Sequence, residues 1–410
     1  MLQFRAHHQV ELLQGCEAFF AALVQAIDQS VFEVRLETYI FNVEASGQQV
    51  ALALERAARR GVAVYLVMDG VGTPSIPLEW ARRFDAAGVK WRIFSPLGRF
   101  GLFIPSRWRR LHRKLCAIDG SVAFCGGINV LDDFYDPNYG VLEAPRFDFA
   151  VRVTGPLVQT VHQALTRFWW RFEAVSSARQ NDFSAAWQTL QEALRLASQA
   201  RSDQEKKAGS LPGAVVERYN THADLVLRDN LRNRSRIERA YRKAIGEART
   251  EIIIANAYFL PGRKLRKSLI LAAQRGVRVC LLLQGRYEYF MQYHAARPVY
   301  GALLAAGVEI HEYSVSFLHA KVAVIDGHWA TVGSSNLDPL SLLLAREANV
   351  VVNDVSFAQD LRSRLEQAIS QGGIRIDATA YTNRPWQQRW LDRGAFVIMR
   401  MLLFVNGMRY

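Results

Sequence analysis

Leu318-His319-Ala320-Lys321-Val322-Ala323-Val324-Ile325-Asp326-Gly327 reads as a buried strand that carries two nitrogen bases at its start. Side chains alternate faces along a strand, so His319 and Lys321 point the same way. An imidazole and an ammonium held side by side on a stiff element make a site for an anion. The apolar run Val322 to Ile325 buries the strand, and Asp326-Gly327 is a turn signal that returns the chain as a hairpin toward Gly333-Ser334-Ser335-Asn336.

The same stretch occurs twice. Leu111, His112, Lys114, Ile118, Asp119, Gly120, Ala123, Gly126 and Asn129 recur 207 positions later as Leu318, His319, Lys321, Ile325, Asp326, Gly327, Ala330, Gly333 and Asn336. Upstream, Ala87-Gly88-Val89 matches Ala306-Gly307-Val308 at a spacing of 219, so the first half carries about a dozen extra residues before its histidine. An internal repeat of this kind sets the architecture. Each half supplies one His/Lys pair, so the expected arrangement is a pseudo-two-fold pair of domains with one shared site at the interface.

The flanking pattern supports this. Helical stretches at 15–29, 47–60 and 77–87 alternate with strand stretches at 31–41, 62–68 and 89–94, and the alternation restarts after residue 214. Strands alternating with helices point to an α/β fold with mixed sheets. The expected domains are residues 1–175, a Gln/Ala/Ser/Arg-rich linker with an exposed helix at 176–213, a second domain at 214–382, and an amphipathic tail at 383–410.

Composition narrows the partners. The chain has 410 residues and a formal net charge of +13, which implies a polyanionic partner, either nucleic acid or an anionic membrane surface. No segment has the ~20 apolar residues that span a bilayer, and the N-terminus lacks the apolar core of a signal peptide. Cys16, Cys116, Cys125 and Cys280 show no metal or redox spacing and read as buried reduced thiols. The extra stretch 96–110 is rich in Gly, Pro, Arg and aromatics, with Phe100, Leu102, Phe103, Ile104 and Trp108 expected at a membrane interface. An apolar, basic lip speaks against a nucleic-acid groove.

Two imidazoles suit a two-step displacement at phosphorus. One attacks and becomes a phosphohistidine; the other protonates the leaving oxygen and then deprotonates the incoming hydroxyl. Lys114 and Lys321, with Asn129, Asn336 and Ser334, are expected on the non-bridging oxygens. No metal and no cofactor is expected, because lysines and amides stand where a Mg²⁺ site would want carboxylates. A histidine nucleophile needs a carboxylate on its other nitrogen, and Asp148 and Glu347 are the candidates.

His112-x-Lys114-x4-Asp119 and His319-x-Lys321-x4-Asp326, each followed by a Gly-Gly or Gly-Ser stretch and Asn, resemble the paired signature of the phospholipase D superfamily. The resemblance implies two α/β/α sandwich domains related by a pseudo-dyad, with His112 as nucleophile, His319 as general acid/base, and Asp119 and Asp326 as supporting residues. Ile254 to Gly262 and His328 to Ser341 are similar to bacterial cardiolipin synthases, of the shorter type without N-terminal transmembrane helices. That implies phosphatidyl transfer to phosphatidylglycerol with release of a small alcohol such as glycerol. Phosphatidylethanolamine is a further candidate substrate, and hydrolysis or nuclease chemistry is the alternative within the superfamily.

The tail interleaves Trp386, Trp390, Phe396 and Phe404 with arginines, as an amphipathic helix in an anionic interface would. The expected location is peripheral, on the cytoplasmic face of the cell inner membrane, with no nucleic acid bound.

Overall fold

The apolar runs of the two halves become the central strands of one mixed sheet, and the amphipathic runs become the helices that cover it. The computed structural model describes residues 2, 4–98, 105–179, 191, 221–229, 233–286, 290–338 and 345–405. The first half contains β1 (Arg5–Gln14), α1 (Gly15–Asp28), β2 (Glu33–Thr38), α2 (Ala45–Arg59), β3 (Ala63–Asp69), α3 (Leu78–Ala87) and β4 (Lys90–Phe94). It continues through β5 (Arg110–Leu111), β6 (Lys114–Ile118), β7 (Val122–Gly126), β8 (Tyr135–Asp136), β9 (Gly140–Val141), β10 (Phe149–Thr154) and α4 (Leu157–Arg179). The second half contains β11 (Thr221–Arg228), α5 (Arg236–Glu247), β12 (Glu251–Asn256), α6 (Arg263–Gln274), β13 (Arg278–Gln284), α7 (Phe290–Leu304) and β14 (Glu309–Tyr313). It ends with β15 (Lys321–Ile325), β16 (Trp329–Gly333), β17 (Ala345–Asn353), α8 (Val355–Gly372), β18 (Gly373–Arg375), α9 (Ala378–Thr382) and α10 (Trp386–Val405).

Strand order exposes the repeat. From one edge the sheet runs β4-β3-β2-β6-β7-β10-β1, then β11-β17-β16-β15-β12-β13-β14, with β18 at the far edge. The second series mirrors the first about the β1–β11 seam. In both halves the first three strands of the α/β units pair in parallel, and the motif hairpin adds antiparallel beside them. Gly88 and Gly307 stop equivalent helices, both at φ +85, a conformation that costs a side chain but not glycine.

Each half buries its outer face under its own helices. Leu54, Leu66 and Phe84 belong to the core of the first half, and Leu269, Leu281 and Leu303 to that of the second. The inner faces share one core with α4 and α8, in which Leu115, Phe149, Val151, Val322, Val332 and Val350 are all buried. A fully buried Val, Leu or Phe there contributes about 1.5–3 kcal/mol relative to exposure. The halves are thus two α/β/α units joined by a core that both contribute to.

Several expectations shift. Helix α4 extends to Arg179, past the boundary placed at 175, and most of the expected linker lies outside the described residues, as do Phe100, Leu102, Phe103 and Ile104. The N-terminal residues form β1, and β11 opens the second half; these seam strands were not anticipated. All four cysteines are free and buried. Cys116 pairs with Phe124 and Leu115 with Cys125, so the two thiols of that hairpin do not oppose each other.

Candidate active site

The site is made by the starts of two hairpins. Lys114 opens β6 and Lys321 opens β15, each with its histidine two residues earlier. The ammonium of Lys114 donates to the carbonyl of its own His112 at 2.7 Å, and Lys321 does the same to His319. This local bond curls each lysine back beside its imidazole. Lys114 is 4% exposed and Lys321 fully buried, so both charges have been taken out of water.

The halves interlock through their acids. His112 Nδ1 lies 3.0 and 3.1 Å from the two oxygens of Glu347, which opens the later strand of the other half. His319 Nδ1 lies 2.6 Å from Asp148 Oδ2, again across the dyad. Backbone bonds run the same way: His112 N–H donates to the carbonyl of Arg346, and His319 N–H to that of Phe147. Each histidine is therefore aimed by the half that does not contain it.

Electrostatics differ between the two pairs. Burial alone would raise Glu347, but His112, Lys114 and the Ser334 hydroxyl outweigh it and hold the carboxyl below its usual range. Burial lowers His112 despite Glu347. An ionised carboxylate only accepts, so the ring proton belongs on Nδ1 and the Nε2 lone pair is free. Burial pushes Asp148 up to about 7, against the pull of Lys321, the Phe149 N–H and Lys114. His319 is driven well below its usual range by burial and then by Lys321 and Lys114. The second pair thus holds its proton near neutrality, as an acid/base pair should.

Burial and Lys321 bring Lys114 down to about 7. Two ammonium groups forced together in a dry cleft want a divalent or diester anion between them.

The remaining sequence candidates fall into place differently. Asn129 uses its Oδ1 to accept from Ile40 N–H at 3.1 Å, which leaves its Nδ2 as the donor; Asn336 is buried, and its Oδ1 has no partner among the described residues. Ser334 is a correction. Its hydroxyl is fully buried, donates to Glu347 at 2.5 Å and accepts from Ala348 N–H, so it serves the carboxylate rather than a phosphate. Asp119 and Asp326, expected as supporting residues, stand apart from the cleft. They sit at the far ends of β6 and β15, roughly 16 Å along the strand from the lysines. There Asp119 accepts from the N–H groups of Val31, Phe32 and Glu33, and Asp326 from those of Arg249, Thr250 and Glu251. They pin the hairpin turn to the neighbouring strand.

Two features were missed in sequence. Tyr39 lies edge-on to His112 with ring centroids 5.0 Å apart, and Lys114 stands 5.5 Å above its ring. Its position at the C-terminal end of a parallel strand was the available signal. Gly127 occupies the place Ser334 has in the other half, and a Cβ there would collide with the Asp148 carboxylate.

The repeat seen in the two halves agrees with comparison to known proteins. The model of the cardiolipin synthase, phospholipase D-like domain matches residues 23–142 and again 241–369. The chain belongs to this family. It is 37% identical to cardiolipin synthase B of Escherichia coli K12 over 93% of this chain and 86% of that protein. It is 27% identical to cardiolipin synthase A of Cronobacter sakazakii over 94% of this chain and 74% of that one. The phosphatidylserine synthase of Haemophilus influenzae shares the fold, with TM-score 0.67 at 13% identity, covering 98% of this chain and 96% of that one. As a family member the chain is a phospholipid phosphatidyltransferase.

The tail meets two surfaces. Ala395 and Phe396 of α10 pack on the second-half core, and Asp392 bonds His294 at 2.7 Å, so Phe396 is a packing residue and not a membrane contact. The opposite face leaves Trp386 and Trp390 about two-thirds exposed, together with Leu391, Val397, Ile398 and Met401. Trp108 is half-buried, and the side chain of Phe404 lies outside the described residues.

Proposed function

We propose that the shared site makes cardiolipin by phosphatidyl transfer through a phosphohistidine on His112. The observation that carries this reading is the unequal treatment of the two imidazoles: His112 faces an ionised Glu347 and keeps a bare Nε2, while His319 shares its environment with a carboxyl that titrates near 7. Nε2 of His112 attacks the donor phosphorus as the bond to the leaving glycerol oxygen breaks. His319 gives that oxygen its proton. The glycerol hydroxyl of a second phosphatidylglycerol then loses its proton to His319 and attacks phosphorus, which frees His112. Cardiolipin and glycerol are the products, and His319 is restored. Lys114, Lys321, Asn129 and Asn336 hold the non-bridging oxygens while charge builds there.

The protein works at a membrane surface. Among the described residues no helix is long and apolar enough to span a bilayer. The exposed apolar stripe of α10, the exposed Arg389 and Arg393 on the same helix, and the net charge of +13 favour the anionic cytoplasmic face of the inner membrane.

Incubation with phosphatidylglycerol vesicles tests the reading. Cardiolipin and glycerol should appear in equal amounts, vanish with His112→Ala, and persist in EDTA. Phosphatidic acid as the dominant product would replace transfer by hydrolysis, and a product independent of both His112 and His319 would refute the mechanism.

A further inference from the structure

A small hairpin stands over the His319 side of the cleft, and the chemistry described so far leaves it without a task. Asn129 and Asp148 are 19 positions apart, whereas Asn336 and Glu347, their counterparts, are 11 apart. The eight extra residues of the first half build β8 and β9. The hairpin is rigid. Asp136 is buried and accepts from Asn138 N–H at 2.8 Å to close the turn, Arg146 clamps its other oxygen at 2.9 Å, and Gly140 takes φ +76. Leu142 N–H returns to the Phe134 carbonyl at 2.7 Å.

What this frame holds out is apolar. Phe134 is 49% exposed, Tyr135 37%, Tyr139 49% and Val141 86%. A rigid turn with four large apolar or aromatic side chains turned outward is an unusual use of surface in a soluble setting. Its position relates it to the reaction. The Tyr139 ring packs 5.4 Å from that of Phe317, two residues before His319, and Arg286 stands 5.9 Å over the other ring of that pair. The guanidinium of Arg286 donates to the carbonyls of Ser314 and Val315, which brings a cation to the edge of the apolar patch. Beyond the hairpin the chain passes directly to Asp148, the acid that aims His319. One exposed carboxylate, Glu143, lies at its base.

We propose that the β8–β9 hairpin is a lipid-seating lip: Phe134, Tyr135, Tyr139 and Val141 enter the interface of the substrate bilayer and bring a phospholipid to His319. The occupant is a phospholipid surface, because the patch is continuous with a site that acts on phospholipids. Aromatic and apolar side chains beside an arginine match the depth at which glycerol and phosphate meet acyl chains. This rests on the transferase reading above. The extra stretch 96–110 precedes His112 directly in sequence, so the first half contributes one insertion next to each histidine.

Two measurements on the full chain test the lip. All four native cysteines are buried, so a thiol placed by Val141→Cys can be labelled selectively with an environment-sensitive fluorophore. Phosphatidylglycerol vesicles should shift its emission to the blue. In addition, the Phe134→Ser/Val141→Ser variant should lower the ratio of turnover on vesicles to turnover on dispersed dihexanoyl-phosphatidylglycerol by about tenfold. A probe that stays in water on vesicle-bound protein, or a ratio within about twofold of the parent, overturns the proposal. If the parent chain turned over neither lipid form, the transferase reading would fall, and the probe at position 141 would still decide the lip.

Discussion

Glu347→Gln isolates the aim of the nucleophile. The substitution keeps volume and removes one charge. The His112 Nδ1–H bond to Glu347 is charge-assisted, and losing that strength alone costs roughly 1.5–3 kcal/mol, or about 10–150-fold in rate. The surroundings make the loss larger. Ser334 donates its hydroxyl proton to Glu347 Oε2 at 2.5 Å, so in the glutamine variant it holds the amide oxygen on that side. The amide nitrogen then takes the place of Oε1, 3.0 Å from Nδ1. An N–H there can only donate, so it competes for Nδ1 against the neutral amide oxygen at the Oε2 position, 3.1 Å away, and shifts the ring toward the tautomer with its proton on Nε2, which lacks the lone pair that attacks phosphorus. A tautomer error of this kind lowers turnover by about 10⁴ in a serine-protease triad, and a loss of roughly 10³–10⁴ is expected here.

The assay is cardiolipin formation from phosphatidylglycerol vesicles, with rapid-quench measurement of acid-labile phosphoenzyme. Ser334→Ala by itself should cost no more than about 150-fold, one hydrogen bond to a charged group. In the double variant the amide is free to turn its oxygen to Nδ1, so Glu347→Gln/Ser334→Ala should be faster than Glu347→Gln. A double variant no faster than the single, or a single that loses less than about tenfold, would refute the tautomer argument.

Two further outcomes follow from the site and its frame. Lys114 titrates near 7 in the free protein because of burial and Lys321, and a bound phosphodiester favours its charged form. Binding a non-reactive phosphodiester should therefore take up protons between about pH 7 and 9 and weaken as pH rises through that window; calorimetry in two buffers of different ionisation enthalpy would show it, and zero uptake would contradict it. Asp119→Ala removes three backbone hydrogen bonds far from the cleft and should lower stability by about 2–4 kcal/mol in urea unfolding. Its turnover at low temperature should stay within a few-fold of the parent, since a larger loss would place Asp119 in the chemistry.

The histidines, the lysines and the outer α/β units were legible because each is written in local spacing. Residues two apart on a strand share a face, and Gly88 and Gly307 end equivalent helices. The seam was not legible. β1 carries Arg5, His7, His8 and Gln9, and its pairing with β11 shifts register between Arg5 and His8. β11 buries Asp224 and Arg228 among its apolar residues. Neither strand shows a clean period of two, since both faces are covered: Leu13 and Val226 lie in the cores of their own halves, Leu12 and Leu225 in the shared core. The acids were candidates from their place near strand starts, but which histidine each lies against depends on contacts spanning 235 and 171 residues. The β8–β9 turn was missed because Asp-Pro-Asn-Tyr-Gly reads as loop punctuation, and its order comes from Arg146 ten residues along.

The crossing of the acids also bears on how such a chain can change over generations. A half released from its partner keeps an imidazole and a lysine but loses the carboxylate that aims them, so duplication alone supplies no working spare. Drift in one acid is felt by a histidine at the far end of the polypeptide. Gly127 and Ser334 are free to differ from each other, because each is fitted only to the acid beside it, the glycine leaving room for Asp148 and the serine donating to Glu347. The acids have no such freedom, and the two halves must be inherited as one unit however little their sequences come to share.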